Sequence, residues 1–329
     1  MNLAGKKILF IGIGFYDYEK LIVEKLEQSG ASVSYMSSVS NMRPVNFLYR
    51  LGIQRLAMRF KDMRREKNIS RTESDVDLVF VIKGQELSRE NFDEIRRRNP
   101  NAQWILYLWD SLIRHTNIDL LFENFPIIYS FDRKDCQKYS RLKFRPLFFR
   151  EHVDKSRNRE YSLSFIGWAH SNRLEMIRTL KNQLKAAGKT YYLKLYYGPF
   201  DYLVQRFIKH TITREDGDVV IKRPIPYDKF KDVLSKSELV LDISHPLQSG
   251  LTMRTIETIA AGCRLLTTND DIVNYPQVLP SYYYLLDRKN PNLPQEIVND
   301  DERKHEDVQI SEYFYIDNFL DEILESFGS

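Results

Sequence analysis

Cysteine is nearly absent, with two in 329 residues. Cys136 and Cys263 are too distant to give a metal-binding spacing, and two cysteines make no disulfide framework. A reducing cytoplasm is the expected compartment. No run of eighteen apolar residues occurs, so no membrane-spanning segment is read. Met1 to Lys7 carries some positive charge, but the apolar run Ile8 to Ile11 is too short for a signal peptide. Charge of one sign is also scarce. A net charge of +4 suits an anionic ligand or a lipid headgroup surface, and nothing in it calls for nucleic acid. The dinucleotide fingerprint is incomplete as well. Gly12 and Gly14 follow a strand-like run, but Asp17 stands where the third glycine belongs, so no nicotinamide site is read. The glycines fit a close backbone approach instead.

What is present is length, aromatic bulk and a regular alternation of elements. The chain is long for one hydrophobic core and comfortable for two domains. Aromatics make up 13% of it, which suits a folded protein with aromatic-rich cores or clefts. Strands are predicted at Lys7 to Ile13, Ser32 to Met36, Asp77 to Ile82, Gln103 to Leu108 and Ile127 to Ser130. Helices are predicted between them at Tyr18 to Gln28, after the cap residue Ser88, and at Ile118 to Phe122. The polar stretch Glu151 to Glu160 reads as a linker. The pattern then starts again, with a strand at Tyr161 to Ile166, a helix at Arg173 to Lys185 and a strand at Tyr191 to Tyr196. Residues 1–150 and 160–329 are therefore expected to be two α/β, Rossmann-like domains with largely parallel sheets, facing a cleft. Ile316 to Leu324 reads as an amphipathic closing helix.

The most informative stretch is Leu239 to Asn269. A buried strand ends at Ile243, and His245 to Gly250 forms a polar loop. A helix follows with Met253, Ile256, Ile259 and Ala260 on one side, stopped by Gly262 before a second strand at Arg264 to Thr268. In an open parallel sheet such a loop lies at the carboxyl edge, where ligands bind. Gly250, Leu251 and Thr252 place free helix N–H groups there, ready for a phosphate. Either Ser249 or Thr252 serves as the cap. Arg254 lies three residues before Glu257, so it either pairs with that carboxylate or neutralises a ligand phosphate.

Ser249-Gly250-Leu251, Arg254, Glu257, Ala261-Gly262 and Thr267-Thr268-Asn269 resemble the nucleotide-sugar-binding part of glycosyltransferases of the GT-B architecture. The likeness is to the group 1 glycosyltransferases and the spore-maturation-type glycosyltransferase-like proteins, and covers mainly residues 160 to 285. It implies that Glu257 binds the ribose hydroxyls of the donor. Many relatives have an acid eight residues earlier. Ser249 stands there, so any role of that acid does not carry over. The resemblance implies a donor in the second domain and an acceptor on the first. It also implies a C-terminal tail that returns to the first domain. It places Ile225 and Tyr227 against the nucleobase, with Arg223 in reach of a phosphate. Gly14 and Phe15 fall on the acceptor side.

Two further groups complete the expected site. Gly167 to Arg173 leaves a strand and enters a helix, so its N–H groups and Arg173 can hold a diphosphate. His170 in this loop either touches phosphate or fixes the turn. Asp110 ends the apolar run Trp104 to Trp109 at a carboxyl edge, and is the first choice for the base that takes the acceptor proton, with Asp110 also on the acceptor side. It reads equally as a cap for the segment after Ser111. His115 and Asp132 are weaker choices for the base. Asp75-Val76-Asp77 leads into a strand instead of leaving one, so no metal ligand is expected, and side-chain cations are expected to stabilise the leaving diphosphate. No cofactor is expected beyond a nucleotide-sugar substrate. Residues 43–67 mix Phe47, Leu48, Leu51, Ile53, Leu56, Met58 and Phe60 with eight arginines and lysines. They read either as a surface for an anionic membrane or as a packed helix with a solvated basic face.

The expectation is a metal-independent glycosyltransferase that moves a sugar to a glycan or lipid-linked acceptor. Its setting would be bacterial surface polysaccharide synthesis, lipopolysaccharide or capsule, on the inner face of the membrane. A non-catalytic glycan- or nucleotide-binding protein of the same fold and a nucleotide-sugar epimerase are the alternatives.

Overall fold

The computed structural model describes residues 1–14, 17–39, 53–153, 159–299 and 310–328. Phe15, residues 43–52 of the basic segment and residues 154–158 of the linker lie outside the described residues. The chain divides into two compact units, Met1–Arg150 with Ile316–Ser329, and Glu151–Tyr315.

The first unit is built on six parallel strands. They are β1 (Lys7–Gly12), β2 (Ser32–Ser37), β3 (Leu78–Ile82), β4 (Gln103–Leu108), β5 (Ile127–Ser130) and β6 (Leu142–Phe144), in the order β2-β1-β3-β4-β5-β6. β3 is entirely apolar and fully buried, as a central parallel strand covered on both faces must be. The Arg89–Arg98 helix starts at a capping box. Ser88 Oγ accepts from Asn91 N at 3.3 Å, and Asn91 Oδ1 accepts from Ser88 N at 3.2 Å. Sequence patterning missed β6 and the short Arg133–Lys138 helix, which Asp132 caps. The Ile316–Ile323 helix belongs to this unit and buries Ile316, Phe319, Leu320 and Ile323. Phe319 lies 4.9 Å from the Tyr107 ring and 4.6 Å from the Phe148 ring, and Lys25 bonds Asp317 at 2.7 Å.

The second unit also has six parallel strands. They are β7 (Tyr161–Trp168), β8 (Tyr191–Tyr196), β9 (Val220–Ile221), β10 (Ser237–Asp242), β11 (Arg264–Thr267) and β12 (Tyr283–Leu285), in the order β12-β11-β10-β7-β8-β9. Read from the other end, this is the 3-2-1-4-5-6 order of the doubly wound nucleotide fold. Its strand order reverses between β7 and β10, which pair in register from Leu163 with Leu239. In the first unit the reversal lies between β1 and β3. Each unit has its own apolar core. Cys136 and Cys263 lie one in each unit and form no disulfide.

Candidate functional site

The carboxyl edge of the second sheet concentrates charge at its switch point. β10 ends in Asp242, which has no exposed surface. Its carboxylate accepts from Thr252 Oγ1 at 3.2 Å, Thr255 Oγ1 at 2.8 Å and Thr267 Oγ1 at 3.2 Å. It also pairs with Arg254 Nη1 at 3.2 Å, and Arg254 Nε donates to the Ile166 carbonyl of β7 at 3.1 Å. Arg254 therefore spans β7 and β10 and does not pair with Glu257.

Arg173 spans the same gap. Its Nη1 donates to Trp168 O at 2.7 Å, and its Nε donates to Ile243 O at 3.1 Å. Arg288, in the loop after β12, donates Nη2 to Ser244 O and to Thr268 Oγ1, the latter at 3.0 Å. Arg288 Nη1 is buried and has no hydrogen-bond partner among the described residues. Burial pushes the Arg173 guanidinium down to about 9; Arg254 and Arg288 add to the effect and Asp242 opposes it. Burial also lowers Arg288, again against Asp242. Arg173 remains charged at neutral pH, so three guanidinium groups face one buried carboxylate. The surplus of two positive charges is what a dianion would neutralise.

The loop entering the Met253–Ala260 helix is fixed from below. Asn269 Nδ2 donates to Ser249 O at 3.0 Å and Gly250 O at 3.1 Å. Thr252 is the cap, its Oγ1 accepting from Thr255 N at 3.1 Å. Ser249 is buried, and Leu251 has no exposed surface and packs inward. Gly167 is needed for packing. A Cβ there would stand 2.7 Å from Phe165 Cζ and 3.0 Å from Arg254 Nη2. Glu257 is buried in the helix, and the Tyr227 hydroxyl donates to its Oε1 at 3.3 Å. Two residues that the sequence proposed separately for the donor are thus in contact. Arg223 is exposed, and among the described residues it has no ion-pair partner. The His170 ring is 3.3 Å from Ser171 Oγ through Nδ1, and its centroid lies 5.9 Å from that of His245.

The edge of the first sheet differs. Buried Glu19 accepts from Ile13 N at 2.6 Å, Gly14 N at 2.9 Å and Tyr35 Oη at 2.7 Å. A Cβ on Gly12 would lie 2.2 Å from Glu19 Oε2, so a side chain there would displace this carboxylate. The glycine loop after β1 therefore holds a carboxylate from its own chain, and the Gly14 amide is already engaged. Asp110 is held by Lys83 Nζ at 2.5 Å and by Arg114 Nη1 at 3.3 Å. It does not cap the following 3-10 turn, whose N-cap position is Ser111. His115 is buried; burial lowers its pKa, with Asp110 opposing. Among the described residues no group of three or more His, Cys, Asp or Glu side chains is disposed to hold a metal ion.

In the Gln54–Arg71 helix only Ala57, Arg65 and Ile69 are buried. Ile53, Leu56, Phe60 and Met63 are exposed at spacings of three and four, so they share one face. Among the described residues no helix is long and apolar enough to cross a membrane.

No protein-family model and no curated protein matches the chain. Solved structures do match it. A glycosyltransferase from Rickettsia africae ESF-5 aligns at 10% identity over 98% of this chain and 97% of that one, with a TM-score of 0.57. The apo form of the lipopolysaccharide outer core galactosyltransferase WaaB aligns at 11% identity over 98% and 99%, with a TM-score of 0.51. A protein assigned as a UDP-N-acetylglucosamine 2-epimerase from Listeria monocytogenes aligns at 12% identity over 100% and 96%, also at 0.51. The architecture is that of the two-domain, α/β GT-B structures. Fold similarity of this kind leaves the chemistry to be argued from the site.

Proposed function

We propose that the chain is a glycosyltransferase that takes a sugar from a nucleotide-sugar donor and passes it to a glycan or lipid-linked acceptor in surface polysaccharide synthesis. The observation that carries this reading is the group Arg173, Arg254 and Arg288 around Asp242 at the β7/β10 switch point, with Arg288 Nη1 buried and unpartnered. As the bond to the sugar breaks, negative charge builds on the departing diphosphate. Guanidinium groups already fixed by backbone carbonyls stabilise that charge without reorganising. The N–H groups at the start of the Met253–Ala260 helix add to this field. Glu257, which accepts from Tyr227, is assigned to the two ribose hydroxyls. Arg223 is assigned to the donor phosphates, and Gly167 and Leu251 to the shape of the loops around them.

The acceptor is assigned to the first unit, with Asp110 as the group that takes its hydroxyl proton. In that role Lys83 and Arg114 orient the carboxylate. The exposed stripe Ile53, Leu56, Phe60 and Met63, next to Arg55, Arg59, Arg64 and Lys67, supports peripheral contact with an anionic membrane, where a lipid-linked acceptor would be.

The test is a release assay. Nucleotide sugars are supplied with and without lipid-linked saccharide acceptors, and free nucleotide is measured. Acceptor-dependent release that is lost in Glu257→Gln and Asp110→Asn is the expected result. Interconversion of the donor sugar without acceptor would favour an epimerase instead, and binding without any turnover a non-catalytic glycan- or nucleotide-binding protein.

A further inference from the structure

A cavity in the same unit, lined by other residues than the switch point, has a different chemistry. It measures about 300 Å³ and lies between the loop after β7, the start of the Arg173–Ala186 helix and the segment after β8. Its lining includes Trp168, Tyr196, Tyr197, Glu175, Asp201 and Gln205.

Three observations define what it accepts. Trp168 is 51% exposed although it ends a central strand. Its ring stands 4.5 Å from that of Tyr196 on the paired strand, at 79°, so the two form a corner. Such a corner presents part of one half-exposed aromatic ring, not the several faces that would surround a cation. Next, the polar groups around it include acceptors and donors. The carboxylates of Glu175 and Asp201, the amide of Asn172 and the hydroxyl of half-buried Tyr197 make no hydrogen bond with the described residues. Asn172 occupies the helix N-cap position without making a cap bond. The amide Oε1 of Gln205 accepts from Thr211 Oγ1 at 2.6 Å, which leaves its NH₂ as a donor. The third observation is charge. Arg178 is the lining arginine, and Asp216 neutralises it at 2.8 Å and 2.6 Å. Glu175 and Asp201 therefore leave the lining negative, which repels a phosphate.

We infer that this cavity is a binding site for a neutral saccharide, separate from the cationic switch point. One face of a pyranose ring, lined with C–H groups, lies on Trp168. Its hydroxyls, each both donor and acceptor, are met by Glu175 and Asp201 as acceptors and by Asn172, Gln205 and Tyr197 as donors. The volume is at the lower end of small-ligand pockets, enough for a single sugar unit of a longer chain. The site does not depend on transfer, and would hold a glycan whether or not the donor reading is right.

The experiment titrates the intact chain with neutral oligosaccharides of glucose, galactose and N-acetylglucosamine. Saturation-transfer magnetic resonance is the readout, choline is the competing cation, and uridine diphosphate is the control ligand. At least one saccharide should bind in the millimolar range. Trp168→Ala should weaken it about tenfold, as expected for losing an aromatic platform, and Tyr197→Phe by less. Uridine diphosphate binding should be unchanged in both variants. Saccharide binding that ignores both substitutions overturns the site. So does choline binding with no saccharide binding. Loss of saccharide binding in Arg288→Gln but not in Trp168→Ala would also overturn it, because the sugar would then sit at the cationic site.

Discussion

The two sheets expose similar carboxyl edges and fill them in opposite ways. In the first unit the glycine loop after β1 turns its N–H groups onto Glu19, a carboxylate of its own chain. In the second unit the corresponding place carries Arg173, Arg254 and Arg288, and the buried Arg288 Nη1 has no partner among the described residues. An edge whose N–H groups hold its own anion has those groups occupied, whereas one with surplus cations offers charge to an anion. Two nucleotide-type folds in one chain thus need not mean two nucleotide sites. Local charge balance separates them where strand order cannot.

The contrast can be broken at its strongest point first. Asp242→Asn removes the one carboxylate among three guanidinium groups. Breaking such a buried pair should cost about 3–5 kcal/mol in urea unfolding. If the loss is below that range, the cluster is not held by this carboxylate. Glu19→Ala strips partners from two backbone N–H groups and from Tyr35, and should cost about 2–3 kcal/mol without affecting anion binding. Arg288→Gln should leave folding nearly intact. It should also reduce the rise in melting temperature that pyrophosphate gives the wild type, which corresponds to about a tenfold weaker affinity.

A smaller effect comes from His115. Burial lowers its pKa in the folded chain below the ordinary value of 6.5. The unfolded chain then binds a proton that the folded chain does not. Stability should be level above about pH 7 and fall as pH drops through 6.5 toward the lowered folded value. Unfolding curves of His115→Phe should lack this part of the acid loss. The smallest stability change is expected from Leu56→Glu with Phe60→Glu, within about 0.5 kcal/mol for an exposed face. The same pair should still reduce sedimentation with anionic vesicles. Undiminished sedimentation would remove the membrane role of this helix.

The fold was largely legible. Buried runs such as Leu78–Ile82 and Gln103–Leu108, separated by capped helices, show α/β order locally. β6 did not show, because three residues bounded by Arg141 and Arg145 carry no periodicity. The site was legible in part. Glu257, Tyr227 and the Gly250 loop lie in one patterned stretch or next to it. Arg254 was visible with two readings, Glu257 or a ligand phosphate as partner; the i,i+3 pairing is not the one it makes, because the tertiary fold offers the buried carboxylate of Asp242. The sequence did carry a signal for Asp242, an acid closing an apolar strand, and the same logic singled out Asp110. Arg288 had no local signal at all. It stands in an irregular loop, and only the closing of the sheet brings it to Ser244 and Thr268.

The most direct measurement is a calorimetric titration of nucleotides and nucleotide sugars into the wild type, Arg288→Gln and Glu19→Gln. The account predicts that one nucleotide-sugar class binds, that Arg288→Gln weakens it about tenfold, and that Glu19→Gln leaves it unchanged. Binding that is indifferent to Arg288 and lost with Glu19 would place the nucleotide on the first unit and contradict the account.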